Sequence, residues 1–167
     1  YELAQMRKAQ AKAVLGHQAA EKAFRAGGSE AQINAAFLAA SGHTDNDVPY
    51  NNIVALNENG ATLHYQYKSF SKPAHHRSLL IDAGAECNGY AADITRTYGN
   101  GFELFEQLVD AVNDEQLALC AQVKAGLDYR ELHLQCHLRL GCVLRALGIV
   151  DRRVDGEIIE KAIARKA

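Results

Sequence analysis

The run Leu79-Leu80-Ile81-Asp82-Ala83-Gly84-Ala85-Glu86-Cys87-Asn88-Gly89-Tyr90-Ala91-Ala92-Asp93-Ile94-Thr95-Arg96-Thr97-Tyr98 sets the architecture of this chain. Two β-prone stretches, Ser78 to Glu86 and Tyr90 to Tyr98, flank Asn88-Gly89, the pair that favours a two-residue type I′ reversal. Such a turn opposes Cys87 to Tyr90, Glu86 to Ala91 and Gly84 to Asp93. Side chains alternate between the faces of a strand. Leu79, Ile81, Ala83 and Ala85 therefore share an apolar face with Ala92, Ile94 and Tyr98, while Asp82, Gly84 and Glu86 share the other with Asp93, Thr95 and Thr97. Asp82 and Asp93 become diagonal neighbours, ~7–8 Å apart at the backbone. Gly84 is expected to leave open space between them.

Two carboxylates aimed into one gap repel unless a proton or a cation lies between them. Hard oxygen donors on a stiff ribbon suit Mn²⁺, Mg²⁺ or a dinuclear pair ~3.5–4 Å apart. The same spacing fits two solvated aspartates on an exposed face, and spacing alone leaves both open. His64, in Leu63-His64-Tyr65, is expected on an extended piece from Thr62 to Tyr67 that could lie beside the hairpin. There it could relay a proton or hold a developing oxyanion, or simply be a half-buried histidine between aromatic neighbours.

Around the hairpin the chain reads as two helices, about four strands, then helices, an α+β layer with an antiparallel sheet and helices on one face. A first helix should reach about Arg25 on a stripe of Leu3, Met6, Ala13, Val14, Ala20 and Phe24, and end at Gly27-Gly28. Ser29-Glu30-Ala31-Gln32 is a capping box opening a helix that packs Ile33, Ala36, Phe37 and Ala40. Pro49 excludes helix from the polar loop His43 to Tyr50, and Ile53-Val54-Ala55-Leu56 reads as a strand, followed by a turn. Beyond Gly101, a helix carries Phe102, Phe105, Leu108, Val109, Val112, Leu117 and Leu119 towards Lys124. Asp128 caps another that ends at Gly148, and residues 158–167 form an amphipathic helix. With no capping residue ahead of the first stripe and a last helix that simply stops, the chain is expected to be a piece of a larger polypeptide.

Composition bounds the chemistry. The 167 residues are 48% apolar and 23% charged, an ordinary globular balance. Eighteen Lys and Arg against twenty Asp and Glu leave a net charge of -2, which weighs against nucleic acid as a main partner. No apolar run approaches the ~20 residues of a bilayer span. Cys87, Cys120, Cys136 and Cys142 form no CxxC pair and read as free thiols of a reducing cytoplasm. His133 and His137 share a helix face but lack the glutamate of a zincin motif, and Asp45-Asn46-Asp47 reads as a solvated turn. Glu86 and Glu103 have no evident partner.

Leu80-Ile81-Asp82-Ala83-Gly84-Ala85-Glu86 followed by Asn88-Gly89-Tyr90-Ala91-Ala92-Asp93-Ile94-Thr95-Arg96-Thr97 resembles the first metal-binding hairpin of the pita-bread metallopeptidases. Among these it is most similar to the bacterial Xaa-Pro dipeptidases, and the similarity extends through Gly42-His43-Thr44-Asp45, Val48-Pro49-Tyr50, Asn52 to Glu58, Leu63-His64-Tyr65 and Val112 to Leu119. It thins after about Gly148. The resemblance implies that residues 1–167 are the N-terminal half of a pita-bread catalytic domain (creatinase/aminopeptidase-like), without the preceding domain and the following half. It implies Asp82 and Asp93 as the first two ligands of a dinuclear site, occupied by Mn²⁺ or Co²⁺, and His64 as the catalytic histidine at the scissile carbonyl. The substrate implied is a dipeptide with C-terminal proline, the setting cytoplasmic, and the assembly a homodimer or larger, with neither nucleic acid nor membrane as a partner. A histidine and two glutamates complete the family's site from the second half. With two ligands of five, the chain alone is expected to bind metal weakly or not at all and to be inactive. Aminopeptidase P, methionine aminopeptidase or a non-enzymatic pita-bread binding module are the alternatives.

Overall fold

A computed structural model describes residues 1–150. Two compact units make up the chain, Tyr1–Gly101 and Phe102–Ala167. In the first, helices α1 (Glu2–Arg25) and α2 (Glu30–Ser41) precede strand β1 (Ile53–Leu56), a 3-10 turn (Asn57–Ala61), and strands β2 (Ser78–Ala83), β3 (Glu86–Cys87), β4 (Tyr90–Ala91) and β5 (Ile94–Gly99). In the second, α3 (Glu103–Cys120) and α4 (Tyr129–Ala146) form a helical pair. The expected helix at residues 158–167 lies outside the described residues.

The hairpin forms in the expected register. Glu86 pairs with Ala91 and Cys87 with Tyr90, and the same register continues from Ala83–Ile94 to Ser78–Gly99. Asn88 and Gly89 both take positive φ, 53° and 82°, as a type I′ reversal requires. The ribbon differs from the expectation in being interrupted: β2–β5 and β3–β4 are separate ladders. Between them the link from Ala92 N–H to Ala85 O persists at 2.8 Å. β1 pairs antiparallel with β2 to complete a three-stranded sheet, order β1-β2-β5.

Alternation sorts the faces as the pattern predicts. Leu79, Ile81, Ala83, Ala85 and Ala92 are buried, with Ile94 and Tyr98 half-buried. Phe24, Ile33, Phe37, Val54 and Leu56 join Leu79 and Ile81 in one cluster, and Ala9 and Ala13 meet Ala85 and Ala92 in a smaller one.

The stripe on α1 is the expected one at Ala13, Ala20 and Phe24 but not at its other three members. Leu3, Met6 and Val14 are exposed, whereas Gln5, Ala9, Ala13, Gly16, His17, Ala20 and Phe24 are buried. Close approach is the reason: a Cβ at Gly16 would lie 2.6 Å from the Phe37 ring. Small residues therefore occupy the contact, and the larger ones fall outside it. The N-terminal half of α1 also clamps the hairpin tip. Gln5 accepts from Asn88 Nδ2 at 2.9 Å, Lys12 donates to Glu86 O at 3.1 Å, and Glu2 accepts from Tyr90 Oη at 2.9 Å.

The capping box of α2 is present in both directions. Gly42 closes this helix in the left-handed conformation, and Leu38, rather than Ala40, is the further residue it buries. On α4, Asp128 is the N-cap, but its carboxylate accepts from Arg130 N–H, one position earlier than in a capping box. Arg139 of α4 reaches Glu115 of α3 at 2.5 Å. No residue of α3 is fully buried among the described residues.

His17 lies beneath the sheet, with Nε2 donating to Ala83 O at 3.1 Å and Nδ1 buried without a partner. Burial, the largest influence, lowers its pKa below the ordinary 6.5. The unfolded chain then binds a proton at a pH where the folded chain resists it, so this contribution is complete above about pH 6.5 and is lost on acidification below it. In urea titrations at about pH 7 and about pH 5, the wild type is expected to lose more stability between the two than His17→Leu does. Equal losses would exclude His17 as the source.

Candidate metal centre

β2 is the central strand, so Asp82 stands between Ile53 on β1 and Thr95 on β5. Asp93 lies at the break between the two ladders, and both carboxylates share the face opposite the core. The space beside Gly84 is not open, contrary to the sequence expectation. A Cβ there would meet Ala92 O at 2.2 Å, Tyr50 Cε1 at 2.8 Å and Pro49 Cγ at 2.9 Å. The loop ahead of β1 thus lays Pro49-Tyr50 over the glycine, and only a residue without a side chain permits that approach.

Tyr50 is the site residue that sequence reasoning missed. Its hydroxyl donates to Asp93 Oδ1 at 3.0 Å across 43 positions. Burial first, then the neighbouring Asp82 and Asp93 carboxylates, raises its pKa far above the ordinary phenol range, so it remains a donor. One hydroxyl carries one proton. With that proton on Asp93, Asp82 Oδ1 is left buried and without a hydrogen-bond partner. A buried carboxylate oxygen with no donor is costly, and a cation is one species that satisfies it. The donor set passes the chemical test for a hard divalent ion, two carboxylates on one rigid ribbon, but supplies only two ligands. Among the described residues no three His, Cys, Asp or Glu side chains converge.

His64 is not on a strand. Thr62 to Tyr67 forms no ladder; His64 takes a left-handed φ of 54° and is exposed. Side-chain bonds fold this stretch back instead of pairing it with the sheet. Asn57 Oδ1 accepts from Arg77 N–H at 2.8 Å, and Tyr65 Oη donates to Glu30 at 2.9 Å. No hydrogen bond joins His64 to Asp82 or Asp93 among the described residues.

Other polar residues have structural posts. His43 Nδ1 donates to Ser41 O at 2.9 Å and Nε2 accepts from Glu86 N–H at 3.0 Å, tying the end of α2 to the hairpin. The two glutamates without an expected partner both have one: Glu86 accepts from Gly89 N–H, and Glu103 from Gln107 at 3.1 Å. Asp45 and Asp47 are exposed, as the solvated-turn reading requires. His133 and His137 are exposed with Nε2 atoms 3.0 Å apart. All four cysteines are free. No helix among the described residues is long and apolar enough to cross a membrane.

The model for metallopeptidase family M24 matches residues 4–141. An Xaa-Pro dipeptidase of Salmonella arizonae is 53% identical over 161 residues, covering 96% of this chain and 36% of that protein. One of Citrobacter koseri is 56% identical over 151 residues, covering 90% and 34%. The chain therefore spans about a third of the length of the curated relatives it matches. A zinc-substituted Escherichia coli aminopeptidase P in complex with product is similar in structure, with a TM-score of 0.81 and 26% identity. That match covers 99% of this chain and 37% of that one.

Proposed function

Because the chain belongs to metallopeptidase family M24 and has the fold of a pita-bread half-domain, we propose that it is part of an Xaa-Pro dipeptidase, with Asp82 and Asp93 as two of its metal ligands. The observation that carries this reading is the common face of the two carboxylates, with the Tyr50 hydroxyl bonded to Asp93 and Asp82 Oδ1 buried and unpartnered. Dipeptidases more than half identical to this chain support the substrate class.

When bound, two divalent cations, Mn²⁺ before Co²⁺, would polarise the scissile carbonyl and acidify the attacking water. Asp82 and Asp93 would hold them, and Tyr50 would keep Asp93 turned into the gap. His64 would line the dipeptide pocket and donate a hydrogen bond to the carbonyl oxygen as its charge develops. Residues 1–167 would form the N-terminal half of the catalytic domain, the remaining ligands coming from a second half. Four free thiols fit a cytoplasmic setting. The outer strands β1 and β5 each keep an edge unpaired among the described residues, which favours a homodimer or larger assembly.

The similarity to aminopeptidase P makes cleavage of a longer X-Pro peptide the second reading, and one assay separates the two. The full-length polypeptide, stripped with chelator and reloaded with Mn²⁺, is expected to hydrolyse Ala-Pro and to leave Ala-Pro-Ala intact. The 167-residue chain alone is expected to cleave neither. Cleavage of the tripeptide in preference would move the assignment to an aminopeptidase. No turnover with either Mn²⁺ or Co²⁺ would leave a binding module.

A further inference from the structure

Glu30 opens α2, where a glutamate ordinarily faces solvent and the helix dipole. Here it is 1% exposed, and its carboxylate accepts four hydrogen bonds. Oε1 takes Leu56 N–H and Asn59 Nδ2, each at 2.9 Å. Oε2 takes Tyr65 Oη and Ser69 N–H, also at 2.9 Å. All four donors belong to residues 56–69, the segment that carries His64. One oxygen holds the chain before His64 and the other holds it after. Ala31 N–H adds a bond to Ser69 O at 3.1 Å. Burial and the neighbouring carboxylate push the Tyr65 phenol up to about 12, so it stays a donor at any physiological pH. Between these two anchorages His64 stands exposed in a left-handed turn, with its loop tied at both ends to one side chain.

We propose that Glu30 is the positioning residue for His64, fixing the His64 loop through Tyr65 and Ser69 on one side and Leu56 and Asn59 on the other. The inference rests on the role given to His64 above. Its energetic logic is that of a buried carboxylate whose lone pairs are all taken: removing it strands four donors, and removing one donor loosens the loop alone. Displacing a group at a reacting carbonyl by about 1 Å can cost on the order of a hundredfold in rate.

The test uses the metal-loaded full-length polypeptide. Glu30→Gln keeps the shape but points an amide N–H₂ at two of the four donors; Tyr65→Phe removes one donor to Glu30, together with the hydroxyl oxygen that accepts from Asn59 Nδ2 at 3.1 Å, leaves the carboxylate in place, and serves if Glu30→Gln does not fold. Each is expected to lower kcat about tenfold or more, with KM and metal content changed less than about twofold. In a His64→Ala background the Tyr65→Phe change is expected to cause no further loss, because the group it positions is gone. An equal loss with and without His64 would overturn the proposal, as would an unchanged kcat in Tyr65→Phe while His64→Ala is impaired. If His64→Ala itself leaves kcat intact, the role given to His64 fails and this inference fails with it, a result distinct from the other two.

Discussion

Gly84→Ala is expected to cost the chain about 3 kcal/mol of stability, near the upper end of what one methyl group does by overpacking. The reason is the identity of the obstructing atom. The new Cβ would lie 2.2 Å from a main-chain carbonyl, that of Ala92, and under 3 Å from both Pro49 and Tyr50. A side-chain tip could swing away. The Ala92 carbonyl belongs to a residue whose N–H is bonded to Ala85 O, so relief requires opening the hairpin where Asp93 departs from it. The melting temperature should fall by about 10 °C, and the Tyr50–Asp93 hydrogen bond should be lost with it. Gly60→Ala is the control, since its Cβ would meet nothing closer than 3.6 Å and should melt near the wild type. Equal melting of Gly84→Ala and wild type would mean that the carbonyl does not lie over the glycine.

Asp82→Ala and Asp93→Ala, each in the full-length polypeptide, are expected to lower peptidase turnover by about a thousandfold, or about 4 kcal/mol of barrier. Metal content should fall in parallel. The metal-free 167-residue chain should behave in the opposite sense. Asp82→Ala removes a buried oxygen that has no donor, so its melting temperature should hold or rise, as it would not if the aspartate were a structural post. Tyr50→Phe keeps both carboxylates and removes only the donor to Asp93, so it should show an intermediate loss, about tenfold in metal affinity. Unaltered metal content in either alanine variant would end the assignment of these two residues as ligands.

Much of the site was legible along the chain because its geometry is local. The register of the hairpin follows from Asn88-Gly89 alone, and with it the common face of Asp82 and Asp93. The caps of α2 and α4 and the strand at Ile53–Leu56 follow from residues within a turn or two of each other. The errors share a cause. Thr62 to Tyr67 has strand-forming residues, yet Glu30 and Asn57 hold neighbouring backbone and side-chain groups in a loop. The stripe on α1 follows its small residues because Phe37 packs against Gly16.

By itself, then, the order of residues determined where the ribbon turns, which carboxylates face the same way and which family the chain belongs to. Tertiary structure alone placed Tyr50 over Gly84, aimed its hydroxyl hydrogen bond at Asp93 rather than Asp82, and bound the His64 loop to a glutamate. These contacts join residues 26 to 43 positions apart. No turn propensity or periodicity extends so far, so only the packing of helices against the sheet brings such groups within hydrogen-bonding distance.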